Sequence, residues 1–177
     1  MLYASSQRVG AFLERLAPFR PDPLVAAGAS SIAGGGTGLA PGQLPLAWLT
    51  TQMVGAAVIS GEYAYIGHSE SLAFIRSSVA SRLGQYGLAE LDAATIRLST
   101  PRRLTQEISR VVRGATAPTD AQFAGICYGS RLGDELENWA IFESGSASIS
   151  PLAGSQIERD DPDLVRALQL LGIHLAR

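Results

Sequence analysis

Between residues 123 and 143 the chain reads FAGICYGSRLGDELENWAIFE, the stretch that most narrows what it can fold into. Two apolar runs, residues 123–128 and 138–143, flank Ser130-Arg131 and the acids Asp134, Glu135 and Glu137. Short runs of apolar, aromatic and β-branched residues bounded by glycine and polar clusters read as strands. In the first run Phe123, Gly125 and Cys127 point one way and Ala124, Ile126 and Tyr128 the other, as the period of two requires. A two-stranded ribbon does not hold itself together in water. The rest of the chain must therefore supply elements to cover it, while the acids read as a solvated turn.

Those covering elements are helices. Val9, Phe12, Leu13 and Leu16 recur at i, i+3, i+4 and i+7, the spacing of one helical face. A cap at Ser5 or Ser6 starts this helix, which runs to about residue 17, and Pro18, Pro21 and Pro23 end it. Ser69 caps a second helix to about residue 86, with Leu72, Ile75, Val79 and Leu83 on one face and Gly84 and Gly87 as the stop. Thr100, with Pro101 at the first helical position, opens a third helix. It carries Leu104, Ile108 and Val111 inward and ends at Gly114. Asp161-Pro162 opens the last, with Leu164, Leu168, Leu171 and Leu175 inward. Residues 1–4, 53–60 and 91–98 read as further strands. Helices and strands alternate without a regular βαβ period and without an internal repeat, which predicts an α+β fold.

The 177 residues correspond to one domain. Apolar residues make up 46% and charged residues 17%, a globular balance rather than a disordered one. No apolar run approaches the ~20 residues that span a bilayer, and residues 1–9 lack the basic and apolar regions of a signal peptide. The single cysteine, Cys127, excludes a disulfide framework within the chain, so a cytoplasmic location is expected. Cys127 reads as an inert core thiol. The net charge of −2, with 14 arginines and no lysine, gives no reason to expect direct nucleic-acid binding.

Few motifs carry chemistry. Gly34-Gly35-Gly36 lies in an Ala-, Gly- and Ser-rich stretch with neither a Walker nor a dinucleotide glycine pattern, and reads as a mobile surface loop that holds no phosphate. His68, in a turn before a helix, and His174, on the last helix, have no metal-ligand spacing. No GxSxG elbow is present. Glu14 lies off the apolar stripe of its helix, on the side of Gly10 one turn earlier. A glycine there costs ~1 kcal/mol against alanine and leaves open space in which a ligand can approach the carboxylate. Ser130 and Arg131 end a strand, where a hydroxyl and a guanidinium can meet a ligand or simply form a turn.

Four stretches resemble the RES-domain family, toxins of bacterial toxin–antitoxin operons named for an Arg, a Glu and a Ser. LYASSQRVGAFLERLAPFRP resembles the strand and helix of the family glutamate, which falls on Glu14, with Tyr3 in the preceding strand. Pro45-Leu46-Ala47-Trp48-Leu49 resembles its P-x-x-W-L segment, and LDAATIRLSTPRRLTQEISRVV the segment leading into the serine strand. FAGICYGSRLGDELENWAIFE resembles the serine strand itself, giving Ser130 with Arg131 beside it. The family arginine lies on a strand upstream of the glutamate helix. No residue here takes its place by motif, so the single RES-like domain over residues 1–177 is expected to be incomplete at its N-terminus.

The resemblance implies an ADP-ribosyltransferase-like mixed sheet with flanking helices. It also implies an enzyme that cleaves the nicotinamide–ribose bond of NAD, as a phosphorylase, a glycohydrolase or an ADP-ribosyl transferase. NAD is then a substrate, and no metal is needed. The implied catalytic residues are Glu14 and Ser130, facing one cleft, and the implied NAD-binding residues are Tyr3, Ser130 and Arg131. The implied partner is a cognate antitoxin protein, with no membrane and room for a homo-oligomer. The alternative is a catalytically silent RES-like domain that binds a partner protein.

Overall fold

The computed structural model describes residues 1–22, 24, 40–98, 101–143 and 146–176. Gly34-Gly35-Gly36 and Thr100, singled out above, lie outside them. In chain order the elements are β1 (Leu2–Ser5), α1 (Arg8–Leu16), β2 (Gln43–Leu44), α2 (Ala47–Thr51), β3 (Met53–Val54), β4 (Ala57–Ser60), β5 (Tyr63–Tyr65) and α3 (Ser69–Val79). After a 3₁₀ turn over Ala80–Tyr86 come α4 (Ala93–Arg97), α5 (Arg102–Arg113), β6 (Gly125–Ser130), β7 (Gly133–Ile141), β8 (Ser148–Pro151), β9 (Ser155–Gln156), α6 (Pro162–Leu171) and β10 (His174–Leu175). The fold is α+β. Its contacts divide it into two compact units, Met1–Ser6 with Val58–Ser150, and Gln7–Ala57 with Pro151–Arg177.

The first unit is built on a four-stranded mixed sheet in the order β1-β7-β6-β5. β6 runs antiparallel to β7 and parallel to β5, and β1 runs antiparallel to β7. One face of the sheet is apolar because the period of two brings Ile126 opposite Ala140. Both join a core with Ile75 and Val79 of α3, Ile96 of α4, and Leu104, Ile108 and Val112 of α5. Each such side chain contributes about 1.5–3 kcal/mol on leaving water. Gly87, at φ 70°, ends the 3₁₀ turn that follows α3, a conformation that glycine adopts without strain.

In the second unit α1 packs on α6. Phe12, Leu13 and Leu16 of α1 are buried, as are Leu164, Ala167, Leu168 and Leu171 of α6. Asp161 caps α6 by accepting from the backbone N–H groups of Asp163 and Leu164 at 3.0 and 3.2 Å, with Pro162 at the first helical position. The start expected there is the one observed. Trp48 is buried on the short helix α2.

Several expectations change. Residues 91–98 hold a short helix, Ala93–Arg97, and not a strand: the Asp92 carboxylate accepts from both the backbone N–H and the hydroxyl of Thr95 at 2.6 Å, which closes the first turn of α4. The strand expected over residues 53–60 divides into β3 and β4 around Gly55-Ala56. The cap position of α1 is Gln7, because Ser5 and Ser6 belong to another network, described below. His68 and Pro101 occupy the cap positions expected of Ser69 and Thr100, and α5 begins at Arg102. Gly172, at φ 65°, stops α6 before Ile173, so Leu175 and His174 stand on β10. Gly10 is buried, so no open space adjoins Glu14 on that side.

Candidate functional site

The strands β6 and β7 are joined by Arg131-Leu132 alone, since Ser130 pairs with Gly133. The register then jumps, because the preceding pair is Gly129 with Glu137. The three intervening residues of β7, Asp134, Glu135 and Leu136, form the bulge. The acids therefore stand on β7 rather than in the connecting turn, which corrects the expected turn. The Asp134 carboxylate is 88% exposed, and Leu136 alone of the three turns its side chain inward.

Ser130 ends β6 for a local reason. Its hydroxyl accepts the backbone N–H of Leu132 at 3.0 Å, a side-chain turn that gives the backbone a partner where the ladder stops. The residue is 2% exposed. Arg131 is exposed and forms no hydrogen bond or ion pair with any described residue. An unpaired guanidinium keeps five donors available to an anion.

Arg97, the last residue of α4, reaches the same strand end. A β-carbon built on Gly129 would stand 3.3 Å from its Nη2, 3.5 Å from Nε and 3.6 Å from Cζ. The guanidinium thus stands over Gly129, at an approach that glycine permits. Arg97 Nη1 meets Asp134 Oδ1 at 2.6 Å. Arg97 was not singled out from the sequence, because residues 91–98 read as a strand. The Asp92-Ala93-Ala94-Thr95 spacing was the available signal for a capped helix.

Tyr3 is 68% exposed on β1. It pairs with Ala140, which faces Ile126 on β6. Ser130 lies four residues farther along β6, roughly 13 Å at the usual strand rise. Glu14 is exposed on α1 in the second unit, and Ser130 and Arg131 belong to the first.

A polar network lies where β1 meets β7. The Ser6 hydroxyl donates to Glu137 Oε2 at 2.8 Å and accepts from Trp139 Nε1 at 2.8 Å. The Ser5 hydroxyl donates to the Glu137 backbone carbonyl at 3.1 Å. Tyr63 meets Trp139 edge to face at 4.9 Å. Cys127 sits beside this network, and its thiol is pushed up to about 12 by burial first, then by its hydrogen bond to Glu137 and the charge of that carboxylate. A thiol so raised is not a nucleophile at neutral pH.

Among the described residues no three of His, Cys, Asp and Glu converge on a metal-sized site, and no helix is long and apolar enough to cross a membrane. Comparison of the chain with protein-family models, with curated proteins and with solved structures gave no match.

Proposed function

We propose that the chain is a RES-like domain of ADP-ribosyltransferase-like fold that consumes NAD at its nicotinamide–ribose bond. It is toxic to its cell unless a cognate antitoxin protein binds it. The observation that carries the reading is Arg131, an exposed guanidinium at the end of the central strand pair, unpaired among the described residues although Asp134 and Glu135 follow it closely. Arginine left in this state suits a phosphoryl ligand, which it holds through two parallel N–H···O bonds.

In this reading Arg131 takes the pyrophosphate of NAD and Ser130 holds the turn that presents it. As the glycosidic bond breaks, nicotinamide leaves with the bonding pair and the ribose gains positive charge. The resemblance to the RES-domain family assigns the carboxylate that stabilises such a charge to Glu14, which is exposed. A fixed charge aimed at developing charge is usually the largest catalytic contribution. Phosphate, water or a protein side chain then attacks the ribose carbon. The test is NAD consumption by the purified chain, by Glu14→Gln and by Arg131→Ala. Loss of turnover in Glu14→Gln with retained folding supports the reading. Equal turnover in the parent and Glu14→Gln removes it.

The burial of Ser130 favours a second reading, a catalytically silent RES-like domain that binds a partner protein. Absence of NAD turnover in every variant, with a stable complex formed on co-expression with a neighbouring open reading frame, supports that alternative.

A further inference from the structure

We infer that Arg97 is the second guanidinium of a phosphoryl-binding site at the β6–β7 turn, with Asp134 occupying its place until a ligand arrives. The choice of a dinucleotide as ligand rests on the function proposed above, whereas anion capture rests on geometry alone. The Arg97 guanidinium stands over Gly129, where any side chain would crowd it. Its Nη1 is taken by Asp134, and its remaining donors meet no other described residue. Two positions along the chain from Gly129, Arg131 is exposed and unpaired. The strand end thus carries two arginines with most of their donors open, one of them standing over Gly129.

The pair with Asp134 is an exchangeable one. Asp134 is 88% exposed and Arg97 39%, and an ion pair this open to water contributes little. A phosphoryl group offers more acceptor oxygens than a carboxylate and bonds arginine in the same bidentate geometry. The Glu135 carboxylate also stands at this turn, so that a β-carbon on Gly133 would lie 2.8 Å from both its oxygens. These acids repel every anion, so a ligand is held only where its bonds to the guanidiniums outweigh that repulsion. The ligand class selected is therefore one with two linked phosphates, able to displace Asp134 from Arg97 while engaging Arg131. A pyrophosphate, free or within a dinucleotide, meets that requirement.

The experiment is calorimetric titration of the full chain with sodium pyrophosphate and, separately, inorganic phosphate, alongside an NAD-consumption assay. The parent is expected to bind pyrophosphate more tightly than phosphate. Arg97→Met is expected to weaken pyrophosphate binding at least tenfold and Arg97→Lys to weaken it less. Asp134→Asn, which removes the competing carboxylate from an exposed position, is expected to tighten it severalfold. Far-UV circular dichroism reports the folding of each variant, and Arg97→Lys with Asp134→Asn carry the test if Arg97→Met does not fold. Parent-like affinity in Arg97→Met, or unchanged or weaker binding in Asp134→Asn, reduces Arg97 to a brace between α4 and β7 and overturns the inference. Arg97-dependent pyrophosphate binding without NAD turnover keeps the site and removes the NAD reading. NAD turnover with Arg97-independent pyrophosphate binding does the reverse.

Discussion

The Arg8 guanidinium meets the Asp161 carboxylate at 2.5 Å, tying the first residue of α1 to the cap of α6. Asp161 thereby does two things with one side chain: it neutralises Arg8 and it satisfies the first amides of its own helix. Replacing it with alanine removes both and is expected to cost about 1–3 kcal/mol, while Asn, which keeps a capping oxygen, costs less. Urea denaturation of the two variants orders them, and equal losses would mean that the charge, not the cap, carries the effect.

The same carboxylate sets an acid limit. Burial works to raise the Asp161 pKa, but the bonds from Arg8 and from the Leu164 and Asp163 amides outweigh it and hold it below the ordinary range. A group whose pKa is depressed by folding stabilises above its unfolded value, about 3.9, and that stability is lost as pH falls through the folded value. Thermal melts between pH 6 and pH 3 should therefore show a loss at the acid end that is smaller in Asp161→Asn.

Cys127 sets a limit on the alkaline side. Its thiol is raised by folding to about 12, so the unfolded chain releases this proton first as pH climbs past about 8.5. The contribution is complete below that value and disappears as pH rises toward the folded one. Iodoacetamide at pH 8 should leave Cys127 unmodified in the native protein and alkylate it rapidly in urea. Equal rates would show an accessible thiolate.

Glu107 is buried between two arginines, with Arg82 Nη1 at 2.5 Å and Arg110 on its other oxygen. Both arginines reach solvent, at 39% and 73% exposure, whereas the carboxylate does not. Removing Arg82 leaves one oxygen of the buried carboxylate without its partner and only Arg110 to balance the charge, and is expected to cost about 1–3 kcal/mol. Glu107→Leu removes the buried charge itself and lets the arginines hydrate, so its cost should stay within about 1 kcal/mol. Chemical denaturation of Arg82→Met and Glu107→Leu compares them, and a larger loss in Glu107→Leu would contradict this asymmetry.

Two glycines separate crowding from freedom. A β-carbon on Gly125 would stand 2.3 Å from the Ala140 carbonyl oxygen and 3.0 Å from the Tyr63 ring, whereas none of the surroundings of Gly84 comes within 4 Å. Gly125→Ala is expected to destabilise by about 3 kcal/mol or more. Gly84→Ala, at an ordinary backbone conformation, is expected to gain up to ~1 kcal/mol through the unfolded chain. Melting temperatures should move in opposite directions.

The faces of α1, α3, α5 and α6 were legible in the sequence, as was the start of α6 at Asp161-Pro162. These signals are local: a 3.6-residue period over three turns, or a capping oxygen within three residues of the amide it takes. β6 and β7 were legible as apolar runs, though their true ends lay several residues from the expected ones. Residues 91–98 were misread because five helical residues are too few to display a period, and Leu91 and Ile96 suit either element. Whether Gly10 is open or buried, whether the acids after Ser130 stand in a turn or on a strand, and whether Arg97 lies over Gly129 depend on residues tens of positions away. Those relationships arise when the register of β6 on β7 and the packing of the helices bring distant segments together. Composition and spacing along the chain contain no trace of them. The sequence alone therefore determined which residues are apolar on which helical face and where chemistry-bearing side chains occur. The tertiary structure decided that Ser130 turns inward to hold a turn while Arg97 and Arg131 stand at its rim, because burial and charge pairing are properties of the packed molecule.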